Sequence, residues 1–148
     1  MSERELLPIP PIETATDPVH SPAELRQRWR ALMGPLGFGE KLLWVGFVGP
    51  DRRMVKAISQ VPLAPRPKPR LVDSVMSGIA DVLAEFTEGT TTALLLTRPG
   101  RGGISQADRQ WSELFAETAE RFGVSLEPIF RANDEALVLV EGPMEAVS

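Results

Sequence analysis

The residue pattern predicts an α/β fold: a single domain with a mixed β-sheet flanked by helices, in the order α-β-β-α-β-α-β-β. Three observations carry that expectation. Residues 41–48 (KLLWVGFV) and the run TTALLLT at 91–97 are short and almost wholly apolar, as strands covered on both faces are. Three longer segments repeat their apolar residues at helical spacing. Strand pairs adjacent in sequence occur only early and late, so hairpins flank a central strand that lies between helices.

Taken in order, residues 1–20 contain Pro8, Pro10, Pro11 and Pro18 without any apolar period, and read as a proline-rich extended or disordered arm. Its Leu6, Leu7 and Ile9 are the side chains available for docking, and low hydrophobicity predicts that it adds little to core stability. The domain proper is expected over 21–148. Ser21, Pro22 and Glu24 supply an N-cap, a first-turn proline and a capping-box acid, and Leu25, Trp29, Leu32 and Met33 then share one helical face until Gly34-Pro35. After the 41–48 strand, GPDR at 49–52 is a turn, and RMVKAISQV at 53–61 alternates with period two, completing a hairpin. PLAPRPKPR is too rich in proline for a strand and reads as a stiff extended connector. A second helix is expected from about Leu71 to Thr87, the central strand at TTALLLT, and the loop RPGRGG beyond it. A third helix opens at Ser105 and stops at Gly123, with VSLEPIF as a strand, RANDE as a turn and ALVLVE as the last strand.

Composition excludes more functions than it suggests. The 148 residues are 43% hydrophobic and 24% charged, in keeping with one globular domain. With no cysteine, disulfides, thiol nucleophiles and Cys-based zinc sites are absent. The single histidine, His20, precedes a helix cap with no partner pattern and is read as solvated, so a Ser-His-Asp triad cannot form. No apolar run is long enough to span a membrane, and the acidic N-terminus lacks the apolar core of a secretory signal, so the expected location is cytoplasmic. Charge is uneven: residues 1–22 have a net of −3, residues 23–70 of +7 and residues 71–148 of −8. Arg52, Arg53, Arg66, Lys68 and Arg70 are the candidates for a polyanion stripe, but a pI near 5.1 argues against nucleic acid as a partner. Trp29, Trp44 and Trp111 read as core, and Glu113, Glu117 and Glu120 as a solvated helix face.

The loop after the central strand holds the candidate ligand-binding residues: Arg98, Arg101, Gly102, Gly103, Ser105 and Asp108. A strand that runs through glycines into a helix N-terminus presents free backbone N–H groups, and two arginines add charge for a phosphate or carboxylate. The loop fits neither the Walker A pattern nor GxGxxG. Ser105-x-x-Asp108 is also nearly a capping box, a purely structural use of the same residues.

The stretches LLWVGFVGPDRRMVKAISQVPL and TTALLLTRPGRGGISQADRQWSELFAETAERFGVSLEPIFRANDEALVLV, covering about Leu42 to Val140, resemble the JAB/MPN (JAMM) family, in particular its bacterial RadC-like branch. In that family an apolar strand runs into a His-x-His-Pro-Ser-Gly loop and a Ser-x-x-Asp opens the next helix. Here Pro99, Ser105, Asp108 and the junction Phe122-Gly123-Val124 match that pattern. The resemblance implies a JAB/MPN-like fold. The family's chemistry is zinc hydrolysis, with two histidines and an aspartate on the metal and a hairpin glutamate on its water. At the positions matching the histidines this chain has Leu96 or Thr97 and Arg98, and the hairpin strand MVKAISQ has no acid. The resemblance therefore implies no catalytic residue, no metal and no cofactor. It implies a non-catalytic domain acting as a protein-interaction or scaffold module, alone with a protein partner or as a homo-oligomer. The alternative reading is a binder of small anions or nucleotides through RPGRGG (98–103), as a metal-independent enzyme at most. A third is a nucleic-acid-associated protein.

Overall fold

A computed structural model describes the protein over residues 9–34, 36–55 and 58–140. The elements are a 3-10 helix (Ile12–Thr16), α1 (Pro22–Met33), β1 (Leu42–Val48), β2 (Ser59–Pro62), α2 (Pro69–Leu83), β3 (Thr91–Thr97), α3 (Gln106–Phe122), β4 (Phe130–Ala132) and β5 (Leu137–Leu139). Beyond the added 3-10 turn, this is the expected order. The five strands form one open mixed sheet in the order β2-β1-β3-β4-β5. Only β3 and β4 are parallel, joined through α3, while the other pairings are antiparallel.

Alternation along the central strands explains how both faces are covered. Leu43, Val45 and Phe47 of β1 and Leu94 and Leu96 of β3 point toward α2 and α3, where they pack with Met76, Trp111 and Phe115. Ala93 and Leu95 of β3 point the other way and pack with Leu25 and Trp29 of α1 and with Phe130 and Ala132 of β4. Trp29 and Trp111 are fully buried, one on each side of the sheet. Trp44 is only half-buried and donates its indole N–H to Thr97 Oγ1 at 3.1 Å. Gly46 allows the second face, under α1, to close, since a Cβ there would lie 2.9 Å from Met54 Cε and 3.5 Å from the Trp29 ring.

The helix starts follow the caps. Ser21 accepts from the Glu24 amide, and Glu24 in turn accepts from the His20 amide at 2.7 Å. Ser105 and Asp108 form a full reciprocal capping box, and Gly123 ends α3 in the left-handed region at φ 71°. His20 is exposed, as expected.

Several boundaries depart from the sequence reading. The second hairpin strand is not continuous over 53–61. Val45 pairs with Ser59 but Val48 pairs with Met54, so two extra residues lie in the outer strand between those pairs, and regular pairing resumes only at Ser59. VSLEPIF is not a strand over its length. Leu126 makes a single bridge to Thr92, Pro128 has no N–H to give a ladder, and β4 begins at Phe130. Arg131 and Ala132, read as part of a turn, are therefore strand residues. The second helix spans Pro69–Leu83, shifted toward the N-terminus of its expected range. The arm is neither wholly extended nor detached in its described part. Residues 12–16 form a 3-10 turn, Ala15 and Val19 are buried, and Arg28 bonds the Asp17 and Pro18 carbonyls. Leu6, Leu7 and the end of the ALVLVE strand at Glu141 lie outside the described residues.

Candidate functional site

Parity along β3 decides where the candidate loop begins. Leu94 and Leu96 face α3, so Arg98, the next residue of that parity, emerges beside the N-terminus of the same helix. Asp108 sits on the first turn of α3 and turns inward, 1% exposed. The two side chains meet as a fork: Arg98 Nε donates to Asp108 Oδ1 and Arg98 Nη2 to Oδ2, both at 2.9 Å. Oδ2 also accepts the Ser105 amide at 2.9 Å, while Ser105 Oγ accepts the Asp108 amide at 3.0 Å.

A second guanidinium lies beneath the first. Arg131 of β4 pairs in register with Leu96 and is 1% exposed, with Nη1 3.6 Å from Asp108 Oδ2. The same Nη1 donates to the carbonyls of Gly102 and Gly103 at 3.2 and 3.0 Å, while the Arg131 Nε has no hydrogen-bond partner among the described residues. Lys41 approaches from the start of β1, with Nζ 5.9 Å from the centre of the Trp111 ring.

The electrostatics follow from this crowding. Burial disfavours the Asp108 charge, but the Arg98 bonds, the Ser105 amide and the two arginine charges outweigh it and hold the carboxyl below its ordinary range. The Asp108 bond raises Arg98. Burial lowers Arg131, against the attraction of Asp108. Burial likewise lowers Lys41, opposed by Asp108.

The glycine loop is held by the β4–β5 turn. Asn133 Oδ1 accepts the Glu135 and Ala136 amides, shaping that turn, and its Nδ2 donates to the Gly102 carbonyl at 2.9 Å. Asp134 accepts the Gly100 amide at 2.8 Å, and Glu135 accepts the Gly102 amide. Gly100 and Gly102 adopt φ of 101° and 102°, a conformation that side chains resist and that lets these amides turn toward the carboxylates. Arg101 is the outlier: its side chain is 58% exposed, with Nη1 3.9 Å from Glu135.

The six candidate residues therefore share one neighbourhood but are not an open cradle. Arg98, Ser105 and Asp108 are bonded to each other, Gly102 and Gly103 serve Arg131, Asn133 and Glu135, and Arg101 alone points outward. Sequence reasoning missed Lys41, Arg131, Asn133, Asp134 and Glu135. For all but Lys41 the available signal was RANDE itself, four polar residues in five directly after the apolar Ile129 and Phe130. Among the described residues no three His, Cys, Asp or Glu side chains come together in a way that could hold a metal ion. Nor is any helix among the described residues long and apolar enough to cross a membrane.

The suggested cationic stripe is divided. Arg52 turns inward: Nε donates to the Val19 carbonyl at 2.8 Å, and the guanidinium forks onto Glu127 at 2.8 and 3.0 Å. Arg53, Arg66, Lys68 and Arg70 are exposed.

Comparison with protein-family models, with curated proteins and with solved structures finds no match to this chain.

Proposed function

We propose that the chain is a non-catalytic JAB/MPN-like domain that works by protein contact. The observation that carries this reading is the Arg98–Asp108 fork. In the resembling family the matching aspartate, beside the end of the central strand, is a metal ligand. Here both of its oxygens are taken by a guanidinium from the strand end, a fixed cation where the family places a mobile one. Element order supports the same reading, since a hairpin precedes a helix, a central apolar strand and a second helix opening at Ser-x-x-Asp. The anion-binding alternative needs free amides in 98–103, yet those of Gly100 and Gly102 already serve Asp134 and Glu135. A domain whose former reaction site is closed by its own side chains acts through its surface.

Thermal melting of wild type and Arg98→Ala, each with and without inorganic phosphate, ATP and zinc, tests the reading. The expected result is a lower melting temperature in Arg98→Ala, by about 2 kcal/mol of stability because Asp108 keeps Arg131, and no ligand-dependent rise in wild type. A rise with phosphate or ATP that disappears in Arg98→Ala would establish the anion-binding alternative instead. A rise with stoichiometric zinc would restore a metal site.

A further inference from the structure

The connector before α2 breaks a rule of local electrostatics. Lys68 is the N-cap residue of α2 without a side-chain cap bond, Arg70 lies in the first turn, and no acid is present there. Cations thus crowd the positive pole of a helix, where carboxylates are favoured. Arg66, Lys68 and Arg70 are all exposed and have no charged partner among the described residues. Pro65, Pro67 and Pro69 alternate with them and fix the backbone, and Lys41 Nζ bonds the Pro65 carbonyl at 3.4 Å, so the segment stands as a stiff cationic ridge.

Beside the ridge runs an open groove of about 720 Å3. Arg66 and Pro67 form one wall; Gln110, Glu113, Leu114 and Glu117 of α3 are on the other. Glu113 and Glu117 also lack a cationic partner among the described residues. Arg66, Glu113 and Glu117 line the same groove and form no ion pair with one another.

We infer that this groove is a self-association surface whose occupant is a second copy of the chain. A patch with the Arg66 cation on one wall and two carboxylates on the other is self-complementary. A two-fold axis along the groove places Arg66 of each copy against Glu113 and Glu117 of the other, two identical contacts at once. Charge selects this occupant over a polyanion, which would have to lie along the carboxylate wall as well as the ridge. The inference rests on the protein-contact reading; the groove reaches Gln106 and Ala107 in the first turn of α3, beside Asp108, but Arg66, Glu113 and Glu117 take no part in the Arg98–Asp108 fork, so each fails separately.

Sedimentation of the full chain at rising concentration tests it. Wild type is expected to double its mass at low salt and to dissociate as salt is raised. Arg66→Glu alone, and Glu113→Arg with Glu117→Arg alone, are expected to weaken the dimer about tenfold or more. An equimolar mixture of the two variants is expected to dimerise again, because both contacts regain opposite charges only in the mixed pair. Unchanged melting of each variant shows that the fold is intact. A wild type that stays monomeric at its solubility limit overturns the inference, as does a dimer that ignores the single swaps or variants whose mixture stays monomeric. A ridge whose only partner is an oligonucleotide, lost in Arg66→Glu, overturns it in favour of nucleic acid.

Discussion

Each end of β3 is tied down by an arginine forked onto a carboxylate, and the two forks differ in surroundings. At the C-terminal end, Arg98 holds Asp108, whose side chain is 1% exposed, with the buried Arg131 also beside it. At the N-terminal end, Arg52 holds Glu127, with side chains 33% and 12% exposed, and Thr91 donates to the same carboxylate at 2.6 Å. The first fork is a closed junction in which one anion serves the half-buried Arg98, the buried Arg131 and a helix cap. The second is a surface clasp that joins the β1 turn, the arm at Val19 and the segment entering β4. Similar geometry therefore does different work: in the buried fork, losing one member leaves charges with nowhere to go, whereas water can replace either member of the clasp.

Asp108→Ala breaks the comparison most severely. It leaves Arg98 and Arg131 without their shared anion and removes one half of the capping box, and is expected to cost about 3–5 kcal/mol in urea unfolding. Loss within about 1 kcal/mol would mean that solvent reaches the junction.

Acid titration separates the forks next. Asp108 is held below its ordinary range despite burial, and Glu127 is held down chiefly by its Arg52 bonds. Both carboxyls thus take up protons more readily unfolded than folded. Their contribution is complete above the ordinary carboxylate range near pH 4 and disappears as pH falls through the depressed folded values. Melting temperature is expected to drop from about pH 5 downward, and Asp108→Asn should remove more of that drop than Glu127→Gln. An equal effect of the two substitutions would erase the distinction drawn here.

Glu127→Gln at neutral pH is the mildest test. Its partner is one-third exposed, so the expected loss is about 1 kcal/mol after solvent screening. Since Arg52 has φ 65° and also bonds Val19 through its main chain and Nε, the turn itself should persist.

The two forks were unequally legible in the residues. Asp108 was visible because Ser-x-x-Asp before a helical period is a local signal, and Arg98 because it ends an apolar run. The helices, β1 and β3 were legible for the same reason: their periods and caps lie within a few residues. Arg131 could not be placed, because Pro128 moved the start of β4 and only the parallel pairing with β3 turned that side chain toward α3. Glu127 and Arg52 were hidden by their separation along the chain, and Val19 by prolines that made its segment look extended. The loop 98–103 looked like an anion cradle because glycines and arginines say nothing of which carboxylates will occupy their amides.

Chain separation also governs when each fork can form. Arg98 and Asp108 are ten residues apart, a closure achieved almost as soon as the first turn of α3 exists. Arg52 and Glu127 are 75 apart and meet only when β1 and β3 have paired and the chain has returned through α3. Chain separation predicts that the short closure forms before the long one, so Arg98→Ala is expected to slow folding and Arg52→Ala to speed unfolding in denaturant-jump kinetics. In the native state the partly exposed clasp that holds the arm is expected to open before the closed junction, which amide exchange at Val19 would read.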